Sequence, residues 1–94
     1  MKFIIDFHLY QDVKRLPITT GYRPDWTSSS KPEYNCAALK LPDEFELFPG
    51  ESVMDATIIP LVQELWALVE VGDKIVAREG PKEIGIGTVI EVVS

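Results

Sequence analysis

Hydrophobic and polar side chains alternate near the start of the chain. Phe3, Ile5, Phe7 and Leu9 share one face, and mainly polar residues occupy the other. A period of two residues is typical of a strand that buries one of its faces. The pattern therefore predicts a half-buried β-strand over residues 2–10.

The end of the chain is typical of a β-hairpin. A β-branched strand over residues 74–78 meets the breaker pair Gly80-Pro81, and a second β-branched strand continues to the C-terminus. Gly85 and Gly87 are two residues apart within this second strand. Glycines in a strand interior predict a bulge or a point where another backbone comes close.

Proline and glycine turns divide the middle of the chain into short extended pieces. The predicted elements are an extended, edge-like segment at 16–26, a loop at 27–32, strands at 34–41 and 52–59, and turns at 42–44 and 49–51. About six strands with short turns indicate an antiparallel all-β barrel or sandwich. A small barrel has the further advantage of leaving no open edge.

The segment 61–71 is ambiguous. Its leucines recur at helical spacing, Pro60 suits a first helical position and Gly72 suits a helix end, which together favour a short helix near 61–70. Its Val and Trp content also fits an extended pair of half-strands. The sequence leaves both alternatives open.

The net charge of −6 changes the range of expected partners. The 94 residues make one domain, residues 1–94, with a modest core. Tight binding of nucleic acid needs a positive footprint, because affinity comes from replacing counterions at the phosphates. The acidic balance therefore disfavours autonomous RNA or DNA binding, while a local basic patch stays open.

The expected cellular location of the protein follows from sequence features that the chain lacks. No apolar run reaches the length of a membrane span, and the N-terminus has no signal-peptide cleavage site. The single cysteine, Cys36, allows neither an internal disulfide nor a Cys-based zinc site. These features indicate a cytoplasmic protein, and the initiating Met1 and the end at Ser94 favour an intact gene product.

Candidate catalytic chemistry is sparse, so the sequence predicts no enzyme, no metal site and no cofactor. His8 lies on the polar face of the first strand with no Ser or Cys at motif spacing, which predicts a surface histidine. Cys36 is predicted to be a buried small hydrophobe. Four carboxylates surround two turns: Asp43, Glu44, Glu46 and Glu51. Their spacing matches no calcium loop, so we expect a solvated acidic face.

Several short motifs follow one another in order along the chain. They are Gly21-Tyr22-Arg23-Pro24 with Trp26 after it, Leu41-Pro42, Phe48-Pro49-Gly50-Glu51, Ala56-Thr57-Ile58-Ile59-Pro60, Arg78-Glu79-Gly80 and Gly85-Ile86-Gly87-Thr88-Val89. In this order, along the whole chain, they resemble the C-terminal β-barrel (third domain) of elongation factor Tu-type translational GTPases. The resemblance implies a closed, six-stranded antiparallel β-barrel that serves as a non-catalytic binding module.

The resemblance also implies partners and residues. In the family this barrel packs on the GTPase domain, contacts the exchange factor and touches aminoacyl-tRNA. The implied binding residues are Arg78, Glu79 and Gly80 on the tRNA-facing turn, and Tyr22, Arg23 and Trp26 toward the partner domain. For the arginines, a phosphate or a partner's carboxylate competes with a plain salt bridge inside an acidic protein.

The chain departs from the family pattern in ways that change the expected ligand. Pro81 replaces a second turn glycine, and Glu83 adds negative charge on the face expected to meet RNA. No phosphate-binding Gly-x-x-x-x-Gly-Lys stretch occurs, so the chain itself is expected to bind no nucleotide. We expect a protein partner, with tRNA binding weak. The alternative is a stand-alone competitor, inhibitor or immunity-type protein that occupies a partner surface.

The segment between Pro60 and Gly72 is longer than in the family pattern. If it stands off the barrel, Leu65 and Trp66 form an apolar partner patch with an aromatic anchor. If it folds back, the same residues cap the barrel. The sequence does not decide between these two arrangements.

Overall fold

The segment with alternating hydrophobic and polar residues at the start of the chain forms the predicted strand. The computed structural model describes residues 1–28, 35–42 and 45–94, with Asn35 described through its backbone alone. β1 (Lys2–Leu9) buries its four alternating apolar side chains and half-exposes the residues between them. The further elements are β2 (Asp25–Ser28), β3 (Asn35–Lys40), β4 (Ser52–Pro60), a 3-10 helix (Gln63–Trp66), β5 (Lys74–Glu79) and β6 (Lys82–Val93).

The six described strands close into an antiparallel barrel in the spatial order β1-β4-β3-β2-β5-β6, with β6 returning to β1. β1 therefore pairs on both sides: Phe3 lies opposite Ile58 of β4 and opposite Val92 of β6. Closure gives every one of these strands two neighbours, which removes the open edges that recruit other chains. The closed all-β barrel expected from the sequence is confirmed.

Trp26 of β2 lies at the centre of the core. Its side chain is fully buried, and its ring meets Phe7 edge to face, with 5.6 Å between the centroids. The indole N–H donates a hydrogen bond of 3.1 Å to the carbonyl oxygen of Ala37 on β3. A buried donor needs such an acceptor, because an unsatisfied one keeps its full desolvation cost. Trp26 therefore joins β1, β2 and β3 through one side chain.

β2 runs further along the chain than the extended segment that the sequence predicts. Thr27 and Ser28 fall in the loop predicted at 27–32, but they belong to β2 and pair with Val76 and Ile75 of β5. Threonine itself favours strands, and backbone pairing with β5 outweighs the loop preference of Ser28. The rest of that predicted loop, and Asp43 and Glu44 of the turn predicted at 42–44, lie outside the described residues.

Of the two alternatives considered for the segment after β4, the short helix is the one that forms, as a single 3-10 helix. Pro60 is the last residue of β4, opposite Ala37, and one 3-10 helix follows over Gln63–Trp66. A 3-10 helix suits a short connection because its tighter turn needs few residues. No helix among the described residues is long and apolar enough to cross a membrane.

Three register shifts bend the strands that flank β1. Met54 and Asp55 of β4 together face Asp6, and Asp55 takes a positive φ of 58° there. In β6, Ile84 and Ile90 are the extra residues of two further shifts. Bulges of this kind increase local twist and curvature, which a small closed barrel requires.

Gly85 and Gly87 allow β6 to approach β1 closely, as their place in the strand predicts. A Cβ built on Gly85 would lie 2.5 Å from Cζ of Phe7 and 2.6 Å from the backbone oxygen of His8. A Cβ on Gly87 would lie 3.0 Å from Cδ1 of Ile5. The aromatic ring of Phe7 therefore occupies the space that any side chain at position 85 would need.

We expect Gly85→Ala to destabilise the fold by about 3 kcal/mol, because the new methyl group would displace both a core ring and a strand backbone. Gly80→Ala is the matched control. Gly80 has a positive φ of 60° but no atom within 4 Å of its Cβ position. Its substitution is expected to cost about 1 kcal/mol. Equal losses in urea unfolding monitored by circular dichroism would contradict the close approach of β1 and β6.

The two tryptophans provide a second matched pair, because only one of their buried N–H groups is satisfied. Trp66 is also buried, yet its Nε1 has no hydrogen-bond acceptor among the described residues. Trp26→Phe leaves the Ala37 carbonyl unpaired, whereas Trp66→Phe removes an unpaired donor. Trp26→Phe is therefore expected to cost about 1–3 kcal/mol more than Trp66→Phe in equilibrium unfolding. A larger loss for Trp66→Phe would show that the indole bond to Ala37 is unimportant.

Candidate functional site

The Arg78-Glu79-Gly80 segment lies where β5 ends: Arg78 and Glu79 are its last residues, and Gly80 begins the turn to β6. Gly80 adopts a left-handed φ of 60°, which closes the hairpin without strain. The Arg78 guanidinium bends back over this hairpin. Its Nη1 lies 3.2 Å from Oε2 of Glu83, and its Nη2 donates a 2.6 Å hydrogen bond to the carbonyl oxygen of Pro81. For Arg78 the salt bridge inside the chain is thus the arrangement the structure shows.

Tyr22 lies at the same end of the barrel, in the segment before β2. Its carbonyl oxygen accepts a 2.8 Å hydrogen bond from the backbone N–H of Leu39, which holds the Tyr22 segment against β3. Three residues later, Asp25 opens β2 directly opposite Arg78 of β5. Two of the motifs named in the sequence analysis, the one that contains Tyr22 and Arg78-Glu79-Gly80, therefore meet at one end of the barrel.

Arg15 connects these two motifs. Its guanidinium carbon lies 4.6 Å from the centroid of the Tyr22 ring, within the range of a cation–π contact. Its Nη2 lies 3.5 Å from Oε2 of Glu79. We name Arg15, Tyr22 and Glu79 the Arg15 cluster. It joins the loop after β1, the segment before β2 and the end of β5.

The contact with Glu79 satisfies only part of the Arg15 guanidinium. Nε and Nη1 of Arg15 are buried and have no hydrogen-bond acceptor among the described residues. Buried guanidinium donors favour carboxylate or phosphate acceptors, because these oxygens match the planar fork of the arginine. The cluster is therefore the polar feature at this end of the barrel best suited to an anionic group.

The sequence did not single out Arg15. It belongs to a polar stretch, 11–15, that predicts only a loop, and it precedes Tyr22 by seven positions. Pro17 lies between the two residues, so no helix brings positions at that spacing onto one face. The pairing depends on how the loop folds over the barrel end, which local sequence does not encode.

Burial in the Arg15 cluster raises the pKa of the Tyr22 hydroxyl far above its usual value of 10.0. Desolvation is the largest cause, the neighbouring Glu79 carboxylate adds to it, and the Arg15 charge acts in the opposite direction. The tyrosine is therefore a neutral side chain at physiological pH, with its ring under the Arg15 cation.

The other two binding residues predicted in the Tyr22 segment, Arg23 and Trp26, differ in their exposure. Arg23 is exposed and available to a partner. Trp26 is fully buried, so its predicted direct contact with a partner domain is wrong. The indole fills the core because the alternation of β2 turns it inward, between the exposed Asp25 and the half-exposed Thr27.

Of the two arrangements left open for Leu65 and Trp66, the structure shows the barrel cap and not the exposed partner patch. Trp66 is only 2% exposed and its ring lies 5.5 Å from that of Phe3, so the segment folds back and caps the barrel. Leu65 is partly buried against the same core. A large aromatic side chain gains more free energy from covering the open barrel end than from contact with water.

His8 has a partner that its sequence context does not reveal. Nδ1 of His8 lies 2.8 Å from Oγ of Ser52, which faces it across the β1–β4 ladder. The pair lines an outer-wall groove of about 290 Å³ together with Asp6, Met54 and Thr88. No described carboxylate contacts the His8 ring, so the third group that orients the base in a nucleophile–base pair is not seen here.

Two further expectations concern individual residues. Cys36 is half-buried, not buried, because Ala37 and Leu39 take the inward positions of β3. No group of three or more His, Cys, Asp or Glu side chains among the described residues is arranged to hold a metal ion. Of the four turn carboxylates, Glu46 and Glu51 are exposed, and Glu51 accepts a 2.8 Å hydrogen bond from the Phe48 N–H.

Comparison with known proteins identifies no family for this chain. A scan against protein-family models finds no match, and a search of curated proteins finds none either.

The raised pKa of Tyr22 predicts that the folded protein loses stability at alkaline pH. The folded protein retains a proton that the unfolded chain releases near pH 10, so stability is complete below that pH and falls as the pH rises above it. Tyr22→Phe is expected to make this fall shallower, as measured by urea midpoints between about pH 9 and pH 12.

Tyr10→Phe is the control for this prediction. The pKa of Tyr10 is also raised, by desolvation first and then by Glu83 and Asp12, but it lies outside the Arg15 cluster. The Tyr10 variant should keep most of the alkaline loss. Identical pH profiles for wild type and Tyr22→Phe would show that the cluster does not hold the tyrosine proton.

Proposed function

We propose that this protein is a non-catalytic binding module like the C-terminal barrel of elongation factor Tu, and that it acts through a protein partner in translation. One observation supports this proposal most directly. The Tyr22 and Arg78-Glu79-Gly80 motifs lie together at one end of the barrel, where Arg15 contacts both Tyr22 and Glu79. Those motifs are distant in sequence, and the resemblance assigns both to partner contacts. The closed six-stranded barrel is the architecture that the resemblance implies.

A protein partner agrees better with the charges at this end than RNA does. Arg78 is engaged by Glu83 and the Pro81 carbonyl, and Arg15 is engaged by Glu79. Each pairing offsets part of the positive charge that would otherwise displace counterions from a phosphate backbone. With a net charge of −6, we infer that contact with tRNA is weak and disappears at moderate salt.

Exposed apolar side chains at the same end also support a protein partner. Ile18 and Leu47 pair through backbone hydrogen bonds of 2.8 and 2.9 Å, which brings their chain neighbours Leu16 and Phe48 to the same region. Leu16 is 81% exposed and Phe48 is 48% exposed. Apolar anchors beside a charged cluster are the usual composition of a protein–protein contact.

A competitor of the translation factor is the second candidate. Its support lies in Glu83, a residue that departs from the family pattern and whose carboxylate holds Arg78. This pairing directs the arginine away from an incoming phosphate. A barrel with the family shape and a disabled RNA contact is suited to occupying a protein surface. Both candidates act in the cytoplasm.

Biolayer interferometry with the immobilised protein tests this proposal. The analytes are bacterial elongation factor Tu, its GTPase domain alone, the exchange factor and aminoacyl-tRNA. One of the three proteins is expected to bind with micromolar affinity, and Arg23→Glu is expected to weaken it about tenfold. Lys2→Glu, at the opposite end of β1, is the matched charge reversal and should have little effect.

The tRNA measurement is a separate arm of the same experiment. Binding is expected to be weak near 50 mM salt and to be lost by about 200 mM. Glu83→Gln should strengthen it, because the change removes the carboxylate charge that holds Nη1 of Arg78. Displacement of the exchange factor from elongation factor Tu would favour the competitor. If none of the three proteins binds at high concentration, the translation proposal is wrong.

A further inference from the structure

The loop between β4 and β5, residues 61–73, is a compact ordered segment. Backbone hydrogen bonds link Leu65 to Val62 and Val69 to Trp66, each at 3.2 Å, and the Gly72 N–H donates to the Val89 carbonyl oxygen at 2.8 Å. Trp66 and Val69 turn inward and complete the core. The loop is therefore held at both its centre and its end.

Four large apolar side chains of this loop nevertheless remain exposed. The exposed fractions are 55% for Leu61, 47% for Val62, 66% for Leu68 and 63% for Val71. We name these four residues the loop surface. Since Trp66 and Val69 already cap the barrel, the loop surface contributes little to its core. Several exposed apolar side chains gathered in one short segment are typical of an interaction surface.

The charge beside the loop surface is negative. Glu64 and Glu70 are exposed within the loop, and no lysine or arginine occurs from Pro60 to Asp73. One cation lies on the loop itself: the Met1 ammonium donates a 3.3 Å hydrogen bond to Oε1 of Gln63, while the Lys74 ammonium donates to Oγ1 of Thr88 on the barrel wall. The two exposed glutamates still leave the loop with a negative balance.

We propose that the loop surface docks a basic, amphipathic protein segment, with apolar side chains on the four exposed residues and lysines or arginines beside Glu64 and Glu70. Charge complementarity selects this occupant. A second copy of the chain would bring Glu64 and Glu70 against identical carboxylates, between two molecules that each carry a net charge of −6. An anionic lipid surface would be repelled in the same way.

This surface is separate from the one in the proposed function. The loop precedes β5, whereas the Arg78-Glu79-Gly80 turn follows it, so the two surfaces lie at opposite ends of that strand. The docking proposal does not depend on a role in translation. Either surface can fail its own test without affecting the other.

The test uses a fluorescein-labelled peptide of Lys and Leu, about 18 residues long, arranged so that its helix has one apolar face. Two comparison peptides isolate the recognised features: one shuffles the same residues, and the other replaces Lys with Glu. Fluorescence anisotropy is expected to show micromolar binding of the amphipathic Lys peptide, at least about tenfold tighter than either comparison peptide.

Protein variants locate the binding. Leu68→Ser with Val71→Ser is expected to weaken binding of the Lys peptide about tenfold, and Glu64→Gln with Glu70→Gln about fivefold. Met54→Ser is the matched control, since Met54 is 69% exposed on the outer face of β4. The glutamine pair keeps side-chain size, so it tests the proposal even if the serine pair lowers stability.

Three results would overturn the proposal. The first is binding of the shuffled peptide, or of the Lys peptide to the serine variant, at wild-type affinity, which would indicate general attraction to an acidic protein. The second is dimerisation in sedimentation equilibrium that the serine variant abolishes. The third is binding to anionic phosphatidylserine vesicles that depends on Leu68 and Val71.

Discussion

The close approach of β6 to β1 is the constraint on which the barrel depends. Gly85 and Gly87 have no side chains, and Phe7 and Ile5 occupy the space left beside them. This contact closes the sheet between its first and last strands. If β6 had side chains at these positions, the two strands would separate and Phe7 could not meet Trp26 in the core. Barrel closure and core packing therefore both depend on the close approach of β6 to β1.

Closure also determines which polar residues meet. β2 lies between β3 and β5, so the segment that carries Tyr22 arrives beside the turn at the end of β5. The loop after β1 then places Arg15 between them. None of these side chains is adjacent to another in sequence. The strand order assembles the Arg15 cluster.

The two ends of the barrel have different chemistry. At the hairpin end, arginines are paired with glutamates of the same chain, and exposed apolar residues lie nearby. At the loop end, Trp66 closes the core and leaves smaller apolar side chains beside two free glutamates. A barrel is well suited to such a division, because rigid walls keep the two sets of loops apart. One small domain thus keeps two chemically different loop regions apart.

The sequence by itself indicated most of the strands, the buried face of β1 and a close backbone approach or bulge at Gly85 and Gly87. These properties are local, since alternation and glycine placement report on each strand separately. Only the tertiary structure decided the inward positions of Trp26 and Trp66, the pairing of His8 with Ser52, and the Arg15 cluster. Those contacts join residues far apart in the chain, and they depend on register and closure, which a one-residue shift in pairing would change.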